Sequence, residues 1–568
     1  MIADALFLKE GEGGDTPYPP RDGCKVKPLI EAAEMYPVLE REILNAENSV
    51  WIAFRVFDPT TKLRSDEAKA AGHEIWADLI EASVKRGVEV RILLTDFEPV
   101  LADYLHAESW ASFRVFKDRM DGLPDEVRRR FQMIVIQHEG EIGWTWRQLL
   151  RLNLRKRIRR KISKLLGRHK DDEEVFHTRP GLWRWLGWDG DKPNRWKPGP
   201  PPRLWPATYH QKCAIIDNRC AILGGLDLDE RRWDDARHRQ RADETWHDVS
   251  SRVEGRIACD AADHFVTLWN EELPRFREIV GEWTNGAGRQ LDLDPLDEIE
   301  RCEWEGQPVG EARCQLLRTR SRYSGSTFAM GPVPHIRELE EAHKRIILGA
   351  RRCLYIEAQF FRSTKAAKWV IEALRRNPGL EVIILIANVP EEIAFEGQKR
   401  HPVHKHGEYL QARALGRIFK AGGKDRVGLF SIAKQEKANG KERRYENSRG
   451  TAFGSGVIHI HAKLLIADTD ACLLSSANIN GRSFEWDTEL GYLWTEAGDA
   501  IAQFRRRLWR QLFDGDVGEG ACLAEWRQVA EQNRTAEPGA RQGFVIPYQR
   551  GRARRYGNPY FWIPDRLV

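Results

Sequence analysis

Three polar residues with a fixed spacing, HxKxxxxD, occur twice in this chain, each time at the start of an apolar run. The two copies are His210, Lys212 and Asp217, and His461, Lys463 and Asp468. After six intervening residues, each aspartate is followed by a pair of small residues. A single triplet of this kind arises easily by chance. Two copies with the same downstream pattern indicate a shared chemical function.

The residue types in this motif are suited to displacement at phosphorus. In an extended strand, residues i and i+2 lie on the same face, so the histidine and lysine of each copy point the same way. Two ammonium groups would neutralise the non-bridging oxygens of a phosphate. Near neutral pH, one imidazole can attack while the other transfers a proton. Such a site needs no metal ion, and we expect neither a metal nor a cofactor.

The elements that must position the two motifs also occur twice. In the first half, the helical pattern "YPVLEREILNAEN" precedes the strand "SVWIAFRVFDP", the helix "HEIWADLIEASVKRG" and the strand "VEVRILLTD". The second half repeats this order with "IRELEEAHKRIILGA", "RRCLYIEAQFF", "AAKWVIEALRRNPG" and "LEVIILIAN". Continuous apolar strands that alternate with amphipathic helices predict an α/β fold with a largely parallel sheet, buried on both faces.

At 568 residues the chain is long for a single hydrophobic core, so we expect two main domains. The region 286–312 is acidic and rich in turn-forming residues, which predicts a linker. We divide the chain into an N-terminal extension (1–26), a first half (27–285) with an insertion at about 140–206, the linker (286–312), a second half (313–515) and a C-terminal tail (516–568).

Composition describes a globular protein: 41% of the residues are hydrophobic, 31% are charged, and the net charge of +5 favours no particular partner. The nine cysteines are scattered without a ligand spacing, which indicates reduced thiols. The sequence begins without a secretory signal pattern and contains no apolar run long enough to span a membrane. We expect a monomer in the cytoplasm or peripherally at a membrane, and a signal-independent route of export stays open.

The motifs resemble those of the phospholipase D superfamily, in particular its lipid-acting branch. The supporting strings are "GGLDLDERRWDD", "TWHDVSSRVEG", "YIEAQFF" and "SSANINGRSFEWDTELG", in addition to the two triplets. The resemblance extends from about residue 27 to about residue 515. It implies two α/β/α sandwich domains related by a pseudo-two-fold axis, with one active site at their interface.

The resemblance also implies roles for the motif residues. His210 would be the nucleophile that forms a phosphohistidine and His461 the acid that protonates the leaving alcohol, although the reverse assignment stays open. Lys212 and Lys463 would hold phosphate oxygens. Asp217 and Asp468 would fix local structure instead of touching the substrate.

Further residues outside the triplets belong to the expected site. Asn478 would hold a phosphate oxygen, and Ser476 would line the phosphate site as a turn residue. Glu489 matches the carboxylate that orients a catalytic imidazole in the family, and His247 with Asp248 is the first-half analogue. Asp227 stands where a neutral asparagine would bind phosphate, so its role stays open. The strand residues Glu357 and Gln359 share one face and point either into the site or into the core.

A basic segment at 147–170 carries eleven Lys and Arg residues and no acidic residue. Its apolar residues recur at helical spacing: Leu150, Leu154, Ile158, Ile162 and Leu165. This stripe favours contact with an anionic membrane surface, while a solvated helix and nucleic-acid binding are the alternatives. Five tryptophans follow, which suit a lipid headgroup boundary, base stacking or a lid: Trp183, Trp185, Trp188, Trp196 and Trp205.

We therefore expect a phosphodiesterase that hydrolyses or transphosphatidylates the headgroup phosphodiester of glycerophospholipids at a membrane surface. One alternative is a cardiolipin-synthase-like phosphatidyltransferase. The other is a nuclease or nucleic-acid phosphodiesterase of the same superfamily, which the "WHD" and "GGLD" strings disfavour.

Overall fold

The computed structural model describes residues 5–14, 17–169, 174–190, 192–287, 291, 293–300, 306–394, 401–440, 442, 450–496, 498–518 and 522–568. The predicted linker (286–312) lies partly outside the described residues, and the division into domains stays a prediction. Helices and strands alternate along both halves of the chain, which confirms the α/β class.

The first half begins with alternating strands and helices and ends with a long helix. Its strands are β1 (Arg21–Ile30), β2 (Ser49–Phe54), β3 (Glu89–Thr95), β4 (Phe131–Ile136), β5 (Leu186–Asp189), β6 (Lys192–Trp196), β7 (Cys213–Ile216), β8 (Cys220–Gly224), β9 (Trp246–His247) and β10 (Val249–Glu254). Its helices are α1 (Ala32–Leu44), α2 (Asp66–Ala70), α3 (Trp76–Lys85), α4 (Asp103–Asp121), α5 (Asp125–Arg128), α6 (Trp144–Arg168), α7 (Glu174–His177) and α8 (Arg256–Ala287).

The second half repeats this alternation and adds a strand and helices after the second motif. Its strands are β11 (Ala312–Arg322), β12 (Val333–Arg337), β13 (Cys353–Ala358), β14 (Glu381–Ile386), β15 (Val427–Lys437), β16 (Thr451–Ala452), β17 (Ser455–Val457), β18 (His459–Ile460), β19 (Leu464–Ala467), β20 (Ala471–Ser475), β21 (Glu489–Glu496) and β22 (Val545–Pro547). Its helices are α9 (Glu338–Gly349), α10 (Thr364–Arg376), α11 (Glu391–Ala394), α12 (Pro402–Arg426), α13 (Gly481–Glu485), α14 (Ala500–Phe513), α15 (Leu523–Thr535) and α16 (Arg550–Tyr556).

The strands of the two halves pair in the same order. In the first half the order is β4-β3-β2-β7-β8-β10-β1, and in the second half it is β15-β14-β13-β19-β20-β21-β11. An irregular antiparallel pairing of β1 with β11 connects the two series. Equivalent strands therefore surround the two motifs.

The sheet is mixed, whereas the sequence pattern predicted a largely parallel one. Among the described strands, parallel ladders join β2–β3–β4 and β13–β14–β15, and a short one joins β9 to β18. Isolated parallel bridges add to them. Each motif hairpin, β7–β8 or β19–β20, adds to the sheet in the antiparallel direction. Strands that are buried on both faces are continuously apolar in either direction. The apolar pattern alone therefore did not reveal whether these strands pair in parallel or antiparallel.

The predicted insertion forms a small apolar core of its own, which corrects the expectation that its apolar stripe faces a membrane. Leu154, Ile158 and Ile162 of α6 are buried, with Leu150 and Leu165 partly buried beside them. They pack against Phe176, Leu182 and Leu186, among others. Trp183, Trp185 and Trp205 are buried as well, while Trp188 and Trp196 are partly buried. Four of these tryptophans, Trp183, Trp185, Trp188 and Trp196, pack in the core of the insertion, a role outside those expected from the sequence.

Within the described residues, no helix combines the length and the apolar character needed to cross a membrane.

Candidate active site

Each motif lies at the entrance to a hairpin. His210 and Lys212 precede β7, and His461 and Lys463 precede β19. The aspartates lie beyond the first strand of each hairpin, in left-handed backbone conformations with φ of 51° at Asp217 and 57° at Asp468. Aspartate tolerates this region because its short side chain can bond to nearby backbone groups.

The two motif aspartates accept hydrogen bonds from backbone N–H groups and lie away from the imidazoles. Each carboxylate accepts three backbone N–H bonds from residues at the start of the neighbouring strand. The donors are Glu47, Asn48 and Ser49 for Asp217, and Arg351, Arg352 and Cys353 for Asp468, at 2.7–3.1 Å. These bonds tie each hairpin to β2 or β13, in agreement with the structural role expected for both residues.

Each motif histidine is held by a carboxylate from the opposite half of the chain. The Nδ1–H of His210 donates to Oε2 of Glu489 at 3.0 Å, across 279 residues of sequence. The Nδ1–H of His461 donates to Oδ2 of Asp248 at 2.7 Å, across 213 residues. A proton on Nδ1 leaves Nε2 of both imidazoles as the reactive nitrogen.

Backbone hydrogen bonds also connect each motif histidine to the half of the chain that supplies its carboxylate. The N–H of His210 donates to the carbonyl of Thr488 at 2.8 Å, next to Glu489. The N–H of His461 donates to the carbonyl of His247 at 2.7 Å, next to Asp248. Each carboxylate and its histidine are thus fixed through adjacent backbone, and neither half can form the site alone.

Burial sets the protonation of the two imidazoles. It lowers the pKa of His210 and of His461 well below 6.5, and the nearby ammonium groups of Lys212 and Lys463 act in the same direction. Both imidazoles are therefore neutral at pH 7 before an anion is bound.

The two orienting carboxyl groups differ in acidity. Burial and the neighbouring Asp487 raise the pKa of Glu489 to about 8. Burial raises the pKa of Asp248 to about 6. At neutral pH, Asp248 is therefore the ionised partner, and it can stabilise a cationic imidazole more strongly than Glu489 can.

The motif lysines lie behind the imidazoles in the buried interior. Nζ of Lys212 donates to the carbonyl of His210 at 2.7 Å, and Nζ of Lys463 donates to the carbonyl of His461. Burial lowers the pKa of Lys212 to about 8 and that of Lys463 to about 7. A phosphate anion would restore their full charge, because an opposite charge favours the protonated form.

The residues that follow the two motifs differ in where they point. Asn478 lines the cavity of the site, its Nδ2 donates to Gln359 at 3.4 Å, and its buried Oδ1 has no hydrogen-bond partner. Asp227 is buried, accepts a bond from the N–H of Val56 at 3.1 Å and lies 3.9 Å from Nζ of Lys212. Ser476 donates to Glu489 at 2.5 Å and fixes that carboxylate.

His247 belongs to a buried network beside the site. Its Nδ1 donates to Glu31 at 2.6 Å and its Nε2 to Glu357 at 3.0 Å. Burial opposes a charge here, but the two carboxylates outweigh it and raise the pKa of His247 well above 6.5. Glu357 is thus a network residue, whereas Gln359 lines the cavity. Glu31 was missed, since no sequence motif marks it.

Glu31, His238 and His247 are the described residues whose ligand atoms lie close enough together, within 4.8 Å, to consider a metal. The 2.6 Å contact of His247 with Glu31 is a hydrogen bond, shorter than the separation of two ligands around a zinc ion. Oδ2 of Asp234 accepts from Nδ1 of His238 at 2.9 Å. We interpret the cluster as a hydrogen-bonded ion-pair network that supports the backbone of Asp248, whose N–H donates to Glu31 at 3.1 Å.

A cavity of about 700 Å³ opens over the two imidazoles, a size that suits a small ligand or headgroup. His210, His461 and Asn478 line its floor. Sequence reasoning missed the arginines of its walls: Arg55, Arg231, Arg232, Arg362 and Arg482. Its acidic lining residues include Asp229 and Glu391, and apolar side chains such as Leu105 and Val115 complete it. The lining is therefore mixed in charge, because Arg231 and Arg232 pair with Glu391 and Arg482 pairs with Asp487.

Several phospholipase D enzymes are similar to this chain in sequence. No family model matches the chain. Over 382 residues it is 25% identical to phospholipase D A of Dictyostelium discoideum, covering 55% of this chain and 27% of the relative. Over 465 residues it is 22% identical to phospholipase D delta of Arabidopsis thaliana, covering 60% and 53%. Over 260 residues it is 27% identical to human phospholipase D1, covering 42% and 22%.

Among solved structures, phosphatidylserine synthase of Haemophilus influenzae superposes with a TM-score of 0.47 at 13% identity, covering 87% of each chain. The chain spans between about a quarter and about half of the length of these curated relatives. Over about half of its length, the chain is thus similar in sequence to phospholipase D enzymes.

Proposed function

We propose that this protein is a phosphodiesterase that cleaves the headgroup phosphodiester of glycerophospholipids through a covalent phosphohistidine. One observation carries the proposal: two imidazoles, each oriented by a carboxylate of the opposite half, meet at one cavity. The names of the curated relatives favour a phospholipid over a nucleic acid.

In the first step, Nε2 of His210 attacks phosphorus and the bond to the headgroup alcohol breaks. The alcohol leaves with a proton from Nε2 of His461. The lysines and Asn478 bind the non-bridging oxygens, where charge accumulates in the transition state. Glu489, which accepts from Nδ1 of His210, orients the attacking ring.

In the second step, water gives a proton to Nε2 of His461 and attacks the phosphohistidine. The P–N bond breaks, His210 is released, and a phosphatidate is formed. If an alcohol replaces water, the same step forms a new phosphodiester, so hydrolysis and transfer share one intermediate.

The assignment of His461 as the acid rests on its partner. Asp248 is the more acidic of the two orienting carboxyl groups, with a pKa of about 6 compared with about 8 for Glu489. An ionised carboxylate stabilises the imidazolium that a general acid requires. Once a phosphate anion occupies the cavity, it raises the pKa of both histidines, and His461 then holds the proton more firmly.

The test uses vesicles of phosphatidylcholine and of phosphatidylethanolamine, with released headgroup measured and ethanol added to trap phosphatidylethanol. We expect headgroup release, phosphatidylethanol in the presence of ethanol, and loss of both in His210→Ala and His461→Ala. His73→Ala, which changes a partly exposed histidine of the α2–α3 loop, is the matched control. Cleavage of single-stranded DNA without lipid turnover would refute the proposal.

A further inference from the structure

The outward face of α6 and a loop packed on its first turn form one exposed surface, here called the α6 surface. The inward face of the helix is buried in the core of the insertion, so its exposed residues are not needed for packing there. Four large apolar side chains remain in solvent: Leu152 (78% exposed), Phe328 (73%), Leu149 (69%) and Trp144 (60%). A soluble protein exposes single apolar residues routinely, but Leu149 and Leu152 share one helix face, and Trp144 and Phe328 lie at the first turn of the same helix. Together they indicate a contact surface.

The apolar part of this surface is rigidly built. The loop between β11 and β12 packs on the start of α6, where the N–H of Gly143 donates to Ala329 at 2.7 Å and that of Thr145 to Thr327 at 2.9 Å. The indole N–H of Trp146 donates to the carbonyl of Phe328 at 2.9 Å. A Cβ at Gly143 would lie 2.4 Å from the carbonyl oxygen of Thr327, so only glycine permits this approach.

The rest of the surface is strongly cationic. Helix α6 contains no acidic residue, and eight of its cations are exposed: Arg151, Arg155, Lys156, Arg157, Arg159, Arg160, Lys164 and Arg168. Among the described residues, none of these eight forms an ion pair with a carboxylate. By helical periodicity, Lys156 and Arg160 continue the outward face on which Leu149 and Leu152 lie.

The inner side of α6 packs beside the start of α4, which contributes to the wall of the active-site cavity. Nζ of Lys161 donates to the carbonyl of Val100 at 2.9 Å and lies 3.4 Å from Asp103, the first residue of α4. The next two residues, Tyr104 and Leu105, line the cavity. Helix α6 therefore lies beside the cavity wall, with its exposed face turned away from Lys161 and α4.

We propose that the α6 surface docks the protein on a bilayer that contains anionic phospholipid. Leu149, Leu152, Trp144 and Phe328 insert among the headgroups, and the cations of α6 attract the anionic lipids. The charge and the exposed Trp144 and Phe328 would also suit nucleic acid, but Leu149 and Leu152 cannot stack on bases and favour a lipid boundary. This inference deepens the proposed lipid activity by giving the enzyme a route to its substrate, and docking itself does not depend on turnover.

The test measures sedimentation with vesicles of phosphatidylcholine alone and of equimolar phosphatidylcholine and phosphatidylglycerol. Every variant carries His461→Ala, so that turnover does not change the lipid. We expect tighter binding to the anionic vesicles and weakening by salt. Lys156→Glu with Arg160→Glu should reduce binding to these vesicles at least about tenfold. The control pair Lys368→Glu with Arg375→Glu makes the same charge change on exposed positions of α10 and should leave binding within about twofold.

The apolar part is tested separately with Leu152→Ser, which should weaken binding several-fold, beside Val309→Ser at another exposed site. Without His461→Ala, the α6 charge variant should keep full activity on a water-soluble phosphodiester and lose activity on vesicles. Equal binding to both vesicle types, or no loss in the charge variant, would overturn the proposal. Loss of single-stranded DNA binding in the same variant, with vesicle binding unchanged, would assign the surface to nucleic acid instead.

If the wild-type protein cleaves neither lipids nor soluble diesters, the proposed function fails. The vesicle-binding result still decides the docking proposal in that case.

Discussion

The two motif copies have the same spacing but different surroundings. His210 bonds to Glu489, a carboxyl group that burial keeps largely protonated at pH 7, whereas His461 bonds to Asp248, which is ionised. The downstream residue of the first copy, Asp227, turns toward Lys212 and backbone, whereas Asn478 of the second copy faces the cavity. Equivalent strands thus surround the two motifs, and the different residues beside the imidazoles make the two rings unequal, as the proposed roles of nucleophile and acid require.

The largest effect should separate the two histidines. His210→Ala removes the nucleophile and should lower kcat by about 10⁵-fold on any substrate. His461→Ala removes the acid and should cost about 10²–10⁴-fold on a lipid but much less on a diester whose leaving group is a nitrophenolate, which needs no proton. The measurement is kcat on both substrates. If the activated leaving group rescues His210→Ala instead, the two roles are exchanged.

The second-largest effect should distinguish the two orienting carboxylates, Asp248 and Glu489. Asp248→Asn removes the charge that stabilises the His461 imidazolium and should reduce kcat by about 10²–10⁴-fold. Glu489→Gln replaces a group that is mostly neutral at pH 7 and should cost about ten- to a hundredfold. Comparison of kcat at pH 7 measures the difference, and a larger loss in Glu489→Gln would contradict it.

The pH dependence of the wild type follows from the same pair. The pKa of Asp248 is about 6, so a fall in pH through 6 protonates this carboxylate and removes the anionic partner of His461. We expect kcat/KM, which reports the pKa values of the free enzyme, to decrease on the acidic side of pH 6 in the wild type. The residual activity of Asp248→Asn should not show this decrease at acidic pH. If the variant keeps the decrease, a group other than Asp248 causes it.

A smaller effect should separate the two downstream residues. Asn478→Asp places a carboxylate in the phosphate cavity and should raise KM at least about tenfold, because like charges repel at short distance. Asp227→Asn should change KM only a few-fold, since this residue lies behind Lys212. Equal increases in KM would show that Asp227 also reaches the phosphate.

The smallest effect on chemistry should come from the motif aspartates. Asp217→Ala and Asp468→Ala each lose three backbone hydrogen bonds and should lower the free energy of unfolding by about 2–4 kcal/mol. The folded fraction should keep kcat on a soluble diester within a few-fold. Thermal unfolding and kcat corrected for folded protein provide the measurement. A large fall in corrected kcat with an unchanged melting temperature would place the aspartate in the chemistry.

Part of the fold and of the candidate site could be predicted because the sequence patterns that encode them are local. The HxKxxxxD spacing and the apolar strands lie within short segments, so the two hairpins and the backbone-binding role of Asp217 were accessible from the sequence. Strand direction was not, because strands buried on both faces have the same apolar pattern in parallel and antiparallel pairing. The stripe on α6 showed that the helix has an apolar face but not what covers it, and the structure covers it with the insertion itself.

The sequence by itself determined which residues we propose for the chemistry: two histidines, two lysines and Asn478, in two similar series of apolar strands and helices. The tertiary structure alone decided that the carboxylates are exchanged between the halves and that Asn478, and not Asp227, faces the cavity. It also decided that the insertion covers the apolar face of α6 and leaves the cations of this helix exposed. The physical reason is distance along the chain. Pairs separated by 213 and 279 residues meet only when both halves are folded and packed, and no local pattern encodes that meeting.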